Sequence, residues 1–227
     1  MSIFHNNSLA GASGQGGAAP TGYSISRSLR FNSSDSAYLS RTPASAGNRK
    51  TWTWAGWVKR SGLTTGYLFG ASTDSFVSSY FLTYFAADRL YIEDYSGGTG
   101  RLSLATTQLF RDPSAWMHIV VAIDTAQSAS ANRAKLYVNG AEVLAFNSPT
   151  YPSQNTDLFI NSSISHYHSF SSAGFNGYLA DIHFIDGQAL TPSSFGEFSA
   201  TTGVWNPKAY TGTYGTNGFR LPFSDNS

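Results

Sequence analysis

The stretch KLYVNGAEVLAF, residues 135–146, is the part of the sequence that decides the fold class. Residues of high β-propensity stand on both sides of the dipeptide Asn139-Gly140. Both Asn and Gly tolerate the positive φ values that the two central residues of a type I′ turn require. The stretch therefore predicts a tight β-hairpin with strands over residues 135–138 and 141–146.

Similar short runs of β-prone residues occur on both sides of this hairpin. We predict strands at residues 29–31, 52–58, 80–85, 89–92, 116–123, 157–161 and 177–185. The run 116–123 is apolar on both faces, which is typical of a central strand that is covered on both sides. Helical spacing is limited to one short turn at residues 192–195, for which Thr191 is the expected N-cap. This pattern predicts an all-β chain that folds as an antiparallel β-sandwich or jelly roll.

The apolar residues of these runs are numerous enough to form a large core. Hydrophobic residues make up 41% of the 227-residue chain, and aromatic residues make up 15%. We expect one sandwich core that buries the side chains of Trp52, Trp54, Trp116, Leu136 and Phe184.

Charged residues are scarce, at 12% of the chain against roughly 25% in an ordinary soluble domain. The net charge is +1 and no run of Lys or Arg occurs, which argues against a nucleic-acid or membrane-surface partner. The absence of cysteine excludes disulfides and thiolate metal sites. No export signal and no apolar stretch of about 20 residues is present. A polar surface with few charges suits contacts with neighbouring subunits.

Three segments of the chain differ in composition. Residues 1–25 are Gly-rich, residues 26–200 contain the predicted strands, and residues 201–227 are rich in Gly, Thr and aromatic residues. We expect the last segment to wrap over the sandwich or over a neighbour. The first segment has too few apolar groups to fold alone, so we predict an extended N-terminal arm docked on a partner subunit, with folding back onto its own domain as the alternative. The expected docking residues are Ile3, Phe4, Leu9, Gly11 and Gly14.

Several stretches resemble one known family in the correct order. They are SLRFNSSDSAYLSR (28–41), WTWAGWVKR (52–60), WMHIVVAID (116–124), AKLYVNGAEV (134–143) and GYLADIHFIDGQALTP (177–192). Together they resemble laminin G-like domains of the concanavalin A-like lectin fold, over roughly residues 26–200. The set is most similar to the versions in virion structural proteins of tailed phages, particularly marine phages. The arm, with IFHNN and LAGASGQ, resembles leader peptides of such proteins.

This resemblance implies a phage virion structural protein that acts as a capsid decoration or a short head or tail appendage. The implied partners are the major capsid or tail proteins and further copies of the chain, with a trimer as one arrangement. Longer relatives continue past a segment like FRLPFSDNS (219–227), so a compact appendage is favoured over an extended fibre. Assembly in the cytoplasm of the bacterial host accounts for a lectin-like sandwich without export signal or disulfides. The alternative is a receptor-binding or glycan-binding module of a tail fibre.

The acidic residues do not form a convincing catalytic pair. Glu93 and Asp94 are adjacent and should point to opposite faces of a strand, and the Glu-x-Asp-x-x-Glu run is absent. We therefore predict that the protein is not an enzyme and needs no cofactor. Laminin G-like domains often bind Ca²⁺ through an acidic residue in the segment that contains Asp181, so the resemblance implies Asp181 as a candidate calcium ligand with unassigned partners.

The histidines and tyrosines allow two further interpretations. His166 and His168 share a strand face and could form a metal cluster with His183, but an exposed loop strand at residues 166–168 is a better interpretation than a metal site. His118, inside an apolar run, is expected to be a buried, hydrogen-bonded core residue. Exposed aromatic rings can stack on sugars, and the candidate glycan-binding residues near loops are Tyr95, Tyr151, Tyr167 and Tyr210. Tyrosine is also enriched at protein interfaces, and that interpretation is favoured for a virion protein.

Overall fold

The computed structural model describes residues 22–170 and 174–224, and nearly all their regular structure is β-strand. The strands are β1 (Leu29–Phe31), β2 (Leu39–Arg41), β3 (Thr51–Arg60), β4 (Gly66–Ser72), β5 (Tyr80–Ala86), β6 (Arg89–Ser96), β7 (Thr99–Thr106), β8 (Trp116–Asp124), β9 (Ala134–Val138), β10 (Ala141–Glu142), β11 (Phe146–Thr150), β12 (His166–His168), β13 (Gly177–Asp186), β14 (Gly196–Phe198), β15 (Trp205–Pro207) and β16 (Phe219–Leu221). Short 3-10 helices occupy Ser33–Asp35, Ser130–Asn132 and Pro192–Ser194. Within these described ranges no helix could cross a membrane.

The strands form two antiparallel sheets that pack face to face. The first sheet has the order β1-β13-β3-β8-β9-β10, and β16 also pairs with β13. The second sheet has the order β11-β7-β6-β5-β4-β12-β2. The strands β14 and β15 form a separate two-stranded sheet. The predicted all-β antiparallel sandwich is therefore confirmed.

The hairpin at residues 135–146 forms, but its second strand is shorter than predicted. Asn139 and Gly140 adopt φ values of 49° and 83°, as a type I′ turn requires. The second strand ends at Glu142, and from Phe146 onward the chain pairs with β7 of the other sheet. The predicted strand over 141–146 is wrong in this part because the chain crosses from one sheet to the other.

The core between the sheets contains four of the five predicted residues. Trp52, Trp54, Leu136 and Phe184 are buried there. Trp116 is only half-buried, and this prediction is wrong. Side chains alternate along β8, so Trp116 lies on the outer face of the first sheet, where its ring centroid is 6.3 Å from that of Tyr178. As predicted, β8 is central and covered on both sides.

The predicted strand at 157–161 is also wrong, since these residues form a loop. The loop backbone bonds to side chains instead of to a neighbouring strand: Phe159 N donates to the carboxylate of Asp94 at 2.8 Å. Asn161 N donates to Nε2 of His166 at 2.8 Å, and Asn161 has a φ of 64°. Its apolar residues Leu158 and Ile160 still enter the core.

The outer face of the first sheet is covered by segments that precede and follow the sandwich. Phe195 packs on the outward side chains of β8 and β13, and Tyr210 and Tyr214 pack around it. Trp205 and Ile25 pack together against the same face. The outer face of the second sheet carries instead a set of half-buried aromatic side chains, and this contrast positions the candidate site.

Candidate functional site

The outer face of the second sheet carries an array of tyrosines, here called the tyrosine face. All of them are half-buried, with part of each ring open to solvent. Its members are Tyr67, Tyr80, Tyr84, Tyr91, Tyr95 and Tyr167.

Cross-strand pairing arranges these rings in two rows. Tyr84 of β5 pairs with Tyr91 of β6 on one side and with Tyr67 of β4 on the other. The rings of Tyr84 and Tyr91 are stacked, with centroids 4.9 Å apart. Four residues along β5, Tyr80 pairs with Tyr95, and their stacked rings are 5.2 Å apart. Aromatic cross-strand pairs of this kind stabilise a sheet and hold each ring in a fixed position.

Glu93 lies between the two rows. Its side chain points outward from β6, like those of Tyr91 and Tyr95, which are two residues away on either side. Across the sheet it pairs with Ser103 of β7. Tyr84 donates its hydroxyl hydrogen to Oε2 of Glu93 at 3.1 Å. Burial among the phenol rings raises the pKa of Glu93 above its ordinary value.

Asp94, the next residue, points to the opposite side of the sheet, as the sequence predicts. Its side chain is fully buried and forms an ion pair with Arg101. Burial raises the pKa of Asp94 to about 6, against the opposing effects of the Phe159 N–H and Arg101. Glu93 is therefore the one carboxylate that the strands of the second sheet, all of which lie within the described residues, present outward.

Phe76 extends the tyrosine face from the loop between β4 and β5. Its ring is 5.3 Å from that of Tyr67 and 6.0 Å from that of Tyr167, measured between centroids. Gly70 lies beneath it, and a Cβ atom there would come within 2.8 Å of the Phe76 ring. Phe76 has a φ of 65°, an unfavourable conformation for a bulky residue, and such strain often occurs at functional sites.

Asp74 holds this strained loop in place. Its carboxylate accepts hydrogen bonds from Ser78 N at 2.9 Å and from Ser78 Oγ at 2.6 Å. The hydroxyl of Ser72 in turn accepts a hydrogen bond from Phe76 N at 2.7 Å. The hydrogen bonds from Ser78 lower the pKa of Asp74 to about 2. The loop is therefore ordered by its own side chains before any ligand arrives.

Two of the four predicted glycan-binding residues, Tyr95 and Tyr167, lie on the tyrosine face. Tyr151 instead packs at the margin of the core, and Tyr210 packs on Phe195 over the first sheet, with ring centroids 5.2 Å apart. The role of all four stays a prediction.

The sequence interpretation missed Tyr67, Tyr80, Tyr84 and Tyr91. For three of them the signal was present. Tyr80 and Tyr84 before the Ala87-Asp88 turn, and Tyr91 and Tyr95 after it, are four residues apart, so each pair shares one face of its strand.

The predicted calcium ligand Asp181 lies in a bulge of β13, with a φ of 46°. Its carboxylate accepts hydrogen bonds from Tyr23 Oη at 2.6 Å and from Arg220 Nε at 2.8 Å. His183 Nε2 is 3.3 Å from the same carboxylate. Burial alone would raise the pKa of Asp181, but these donors hold it at about 2. A calcium ion would have to displace Arg220, and within the described ranges no group of three or more potential metal ligands is found.

The interpretation of His166 and His168 as an exposed loop strand is wrong, because both are buried in β12 between the sheets. As predicted, the two side chains lie on the same face of their strand, and this face is turned towards the other sheet. His118 is buried as predicted and accepts a hydrogen bond from Nε1 of Trp205 at 3.2 Å. The predicted docking residues Ile3, Phe4, Leu9, Gly11 and Gly14 lie outside the described residues.

Comparison with known families agrees with this architecture. The laminin G-like family model described as the concanavalin A-like lectin/glucanases superfamily matches residues 31–194, which is well over half of the chain. The protein belongs to the concanavalin A-like lectin/glucanases superfamily. A comparison with curated protein sequences gives no match.

Several solved structures align with this chain at low sequence identity. Domains LG4-5 of the mouse laminin α1 chain align with a TM-score of 0.53 and 14% identity, over 78% of this chain and 46% of that one. A putative carbohydrate-binding protein from Bacteroides ovatus aligns with a TM-score of 0.51 and 14% identity, over 73% of this chain and 44% of that one. A heptameric pentraxin from Limulus polyphemus aligns with a TM-score of 0.47 and 14% identity, over 68% and 71%. The alignments thus span less than half of the laminin and Bacteroides chains.

Proposed function

We propose that the tyrosine face binds a neutral glycan. The observation that carries this proposal is the combination of two rows of half-exposed phenol rings with a single carboxylate, Glu93, between them. Binding sites for small polar ligands commonly combine aromatic walls with a few fixed polar groups. Membership of the concanavalin A-like lectin/glucanases superfamily supports an interaction with carbohydrate.

The chemistry of the face suits an uncharged sugar. The C–H groups of a sugar ring can pack on the faces of Tyr91 and Tyr95, while Glu93 accepts hydrogen bonds from its hydroxyls. Both arginines of β6 and β7 are engaged elsewhere. Arg89 donates to the carbonyl oxygens of Thr106 and Thr107, each at 2.7 Å, and Arg101 pairs with Asp94. An acidic sugar would therefore meet Glu93 without a compensating positive charge.

Catalysis is not part of the proposal. Hydrolysis of a glycosidic bond requires two carboxyl groups that face one cleft. Asp94, the neighbour of Glu93, is committed to Arg101 on the other side of the sheet. We therefore propose binding without turnover.

The test is a glycan array followed by calorimetry on the full chain. We expect binding of neutral glycans that is reduced roughly tenfold or more in Tyr91→Ala, Tyr95→Ala and Glu93→Gln. The matched control is Tyr178→Ala, a half-buried tyrosine on the outer face of the first sheet. If Tyr178→Ala lowers binding as much as Tyr91→Ala, or if no variant of the tyrosine face changes it, the site is elsewhere.

We also propose that the sandwich is carried on a phage virion, as a capsid decoration or a head or tail appendage. The resemblance of the sequence to virion proteins of tailed phages supports this, and several copies on one oligomer would raise the avidity of weak glycan contacts. The C-terminal end of the predicted arm is attached to the sandwich: Tyr23 donates a hydrogen bond to Asp181, and Ile25 is buried against the first sheet.

A truncated chain tests the virion proposal. Removing residues 1–21 keeps Tyr23 and Ile25, so we expect a folded sandwich that binds glycans and no longer co-purifies with phage particles. Wild-type occupancy of the truncated chain on particles would show that the sandwich, and not the arm, is the anchor.

A further inference from the structure

A cavity of about 340 Å³ opens between the two sheets, on the side of β12 opposite to the tyrosine face. It lies at the edge where β2 and β12 of the second sheet face β13 and β16 of the first. Its apolar walls are formed by Leu39, Pro43, Phe69, Phe184, Phe219 and Leu221. By proportion with an apolar cavity of about 150 Å³ that binds benzene, this volume accommodates roughly a dozen carbon atoms.

Three of the four ring nitrogens of His166 and His168, at the inner end of the cavity, are already engaged with the protein. His168 accepts the indole N–H of Trp54 at Nε2, at 3.2 Å. His166 accepts Asn161 N at Nε2, and its Nδ1 lies 2.8 Å from the carbonyl oxygen of Ile164. A water molecule in an apolar site needs several free polar partners to be stable. The inner end therefore favours an apolar ligand over water.

Arg41 of β2, which is exposed, brings a positive charge to the mouth of the cavity. Its guanidinium donates from Nη1 to the carbonyl oxygen of Asn217 at 2.6 Å and lies 5.2 Å from the centroid of the Phe219 ring. Among the residues that the structure describes, Arg41 forms no ion pair. A guanidinium has five N–H groups, so most of them remain for an anion.

We propose that this cavity binds an amphiphile with one anionic end, such as a medium-chain carboxylate. Its alkyl chain occupies the space between the sheets, and its carboxylate pairs with Arg41. This occupant matches the volume, the apolar walls and the single unpaired cation at the opening. It is independent of the glycan site, which lies on the outer face of the second sheet.

The experiment is a titration of the full chain with saturated carboxylates of six to twelve carbons, followed by calorimetry and by NMR of a ¹³C-labelled carboxyl group. Each added CH₂ should raise the affinity roughly fourfold until the cavity is full. Decanol, which lacks the charge, should bind roughly tenfold or more weakly than decanoate.

Two variants and a control distinguish the parts of the site. Arg41→Gln should weaken decanoate roughly tenfold or more and leave decanol unchanged. Leu39→Trp, which fills the cavity, should abolish binding of both. The matched control is Arg30→Gln, because Arg30 also lies over an aromatic ring, that of Tyr178, at 5.1 Å but far along the sheet. Circular dichroism of each variant verifies that it is folded.

The proposal would be overturned by no binding of decanoate to the full chain, by equal affinity for decanoate and decanol, or by equal losses in Arg41→Gln and Arg30→Gln. Binding of decanoate that survives in a folded Leu39→Trp variant would also overturn it, since the ligand would then lie outside the cavity.

Discussion

Acidification should destabilise this protein through three buried histidines. His118, His166 and His168 each accept an N–H hydrogen bond, from Trp205, Asn161 and Trp54 respectively. A protonated imidazole has no free lone pair and cannot accept these bonds. Burial lowers the pKa of His118 and His168 to about 3 and that of His166 to about 4.

The sign and size of the effect follow from proton linkage. An unfolded histidine has a pKa of about 6.5, so below that pH the unfolded chain binds more protons than the folded one. The stability that the neutral histidines provide is present above pH 6.5 and is lost as the pH falls towards 4. Between pH 7 and pH 5, each of the three histidines should lower the free energy of unfolding by roughly 2 kcal/mol.

Buried carboxylates offset this loss of stability only in part. Asp94, whose pKa is raised to about 6, acts in the opposite direction and offsets roughly 1 kcal/mol between pH 7 and pH 5. Asp181, whose pKa is lowered to about 2, contributes only below about pH 4. The raised pKa of Glu93 acts in the same direction as that of Asp94, so we expect the free energy of unfolding to fall by at most roughly 4 to 5 kcal/mol from pH 7 to pH 5.

The measurement is urea unfolding at half-unit steps from pH 7.5 to pH 4.5, followed by tryptophan fluorescence. The variant His168→Gln retains an oxygen that can accept the N–H of Trp54, and it should lose roughly 2 kcal/mol of the pH-dependent change. A free energy of unfolding that is constant between pH 7 and pH 5 would refute the reasoning. So would an unchanged pH dependence in His168→Gln.

Two further predictions concern packing on the outer faces of the sheets. Gly70→Ala should lower the free energy of unfolding by about 1–3 kcal/mol in chemical denaturation, because its Cβ would come within 2.6 Å of the carbonyl oxygen of Phe81. The control Gly62→Ala, whose Cβ would meet only Asn176 at 3.4 Å, should change it by less than about 0.5 kcal/mol. Trp205→Ala should cost about 3–5 kcal/mol in the same measurement, since it uncovers His118 and removes its donor; a loss below about 1 kcal/mol would contradict the packing described here.

The sequence predicts strands most reliably where local chemistry determines the backbone. The Asn139-Gly140 turn forms as expected because both residues adopt positive φ. The end of the following strand could not be predicted, since the crossing of the chain to the other sheet near Phe146 depends on pairing with β7. Likewise, a tryptophan is compatible with either face of the first sheet. Whether Trp116 points into the core or outward depends on the alternation of side chains along β8, which the sequence alone does not determine because this strand is apolar on both faces.

The candidate site was partly accessible from the sequence. The sequence indicates Tyr95 and Tyr167 as aromatic residues near loops, but their position on the same sheet face as Glu93 follows only from the register of four strands. Residues such as Phe76 could not be found at all, because its position depends on a strained loop that Asp74 organises. Local patterns determine which residues form strands, whereas register determines which side chains meet.

The bond network around Asp181 also has an engineering consequence. Tyr23, near the first described residue, and Arg220, in the last strand, are joined by a hydrogen bond of 2.7 Å. The two ends of the folded unit therefore meet at one edge, an arrangement that tolerates circular permutation and insertion into a host loop. A short linker between residues 22 and 224 could close the chain, and new termini could be opened at the hairpin turn Gly97-Gly98, where both glycines have open space around them. The sandwich could then be displayed as a cassette within another protein.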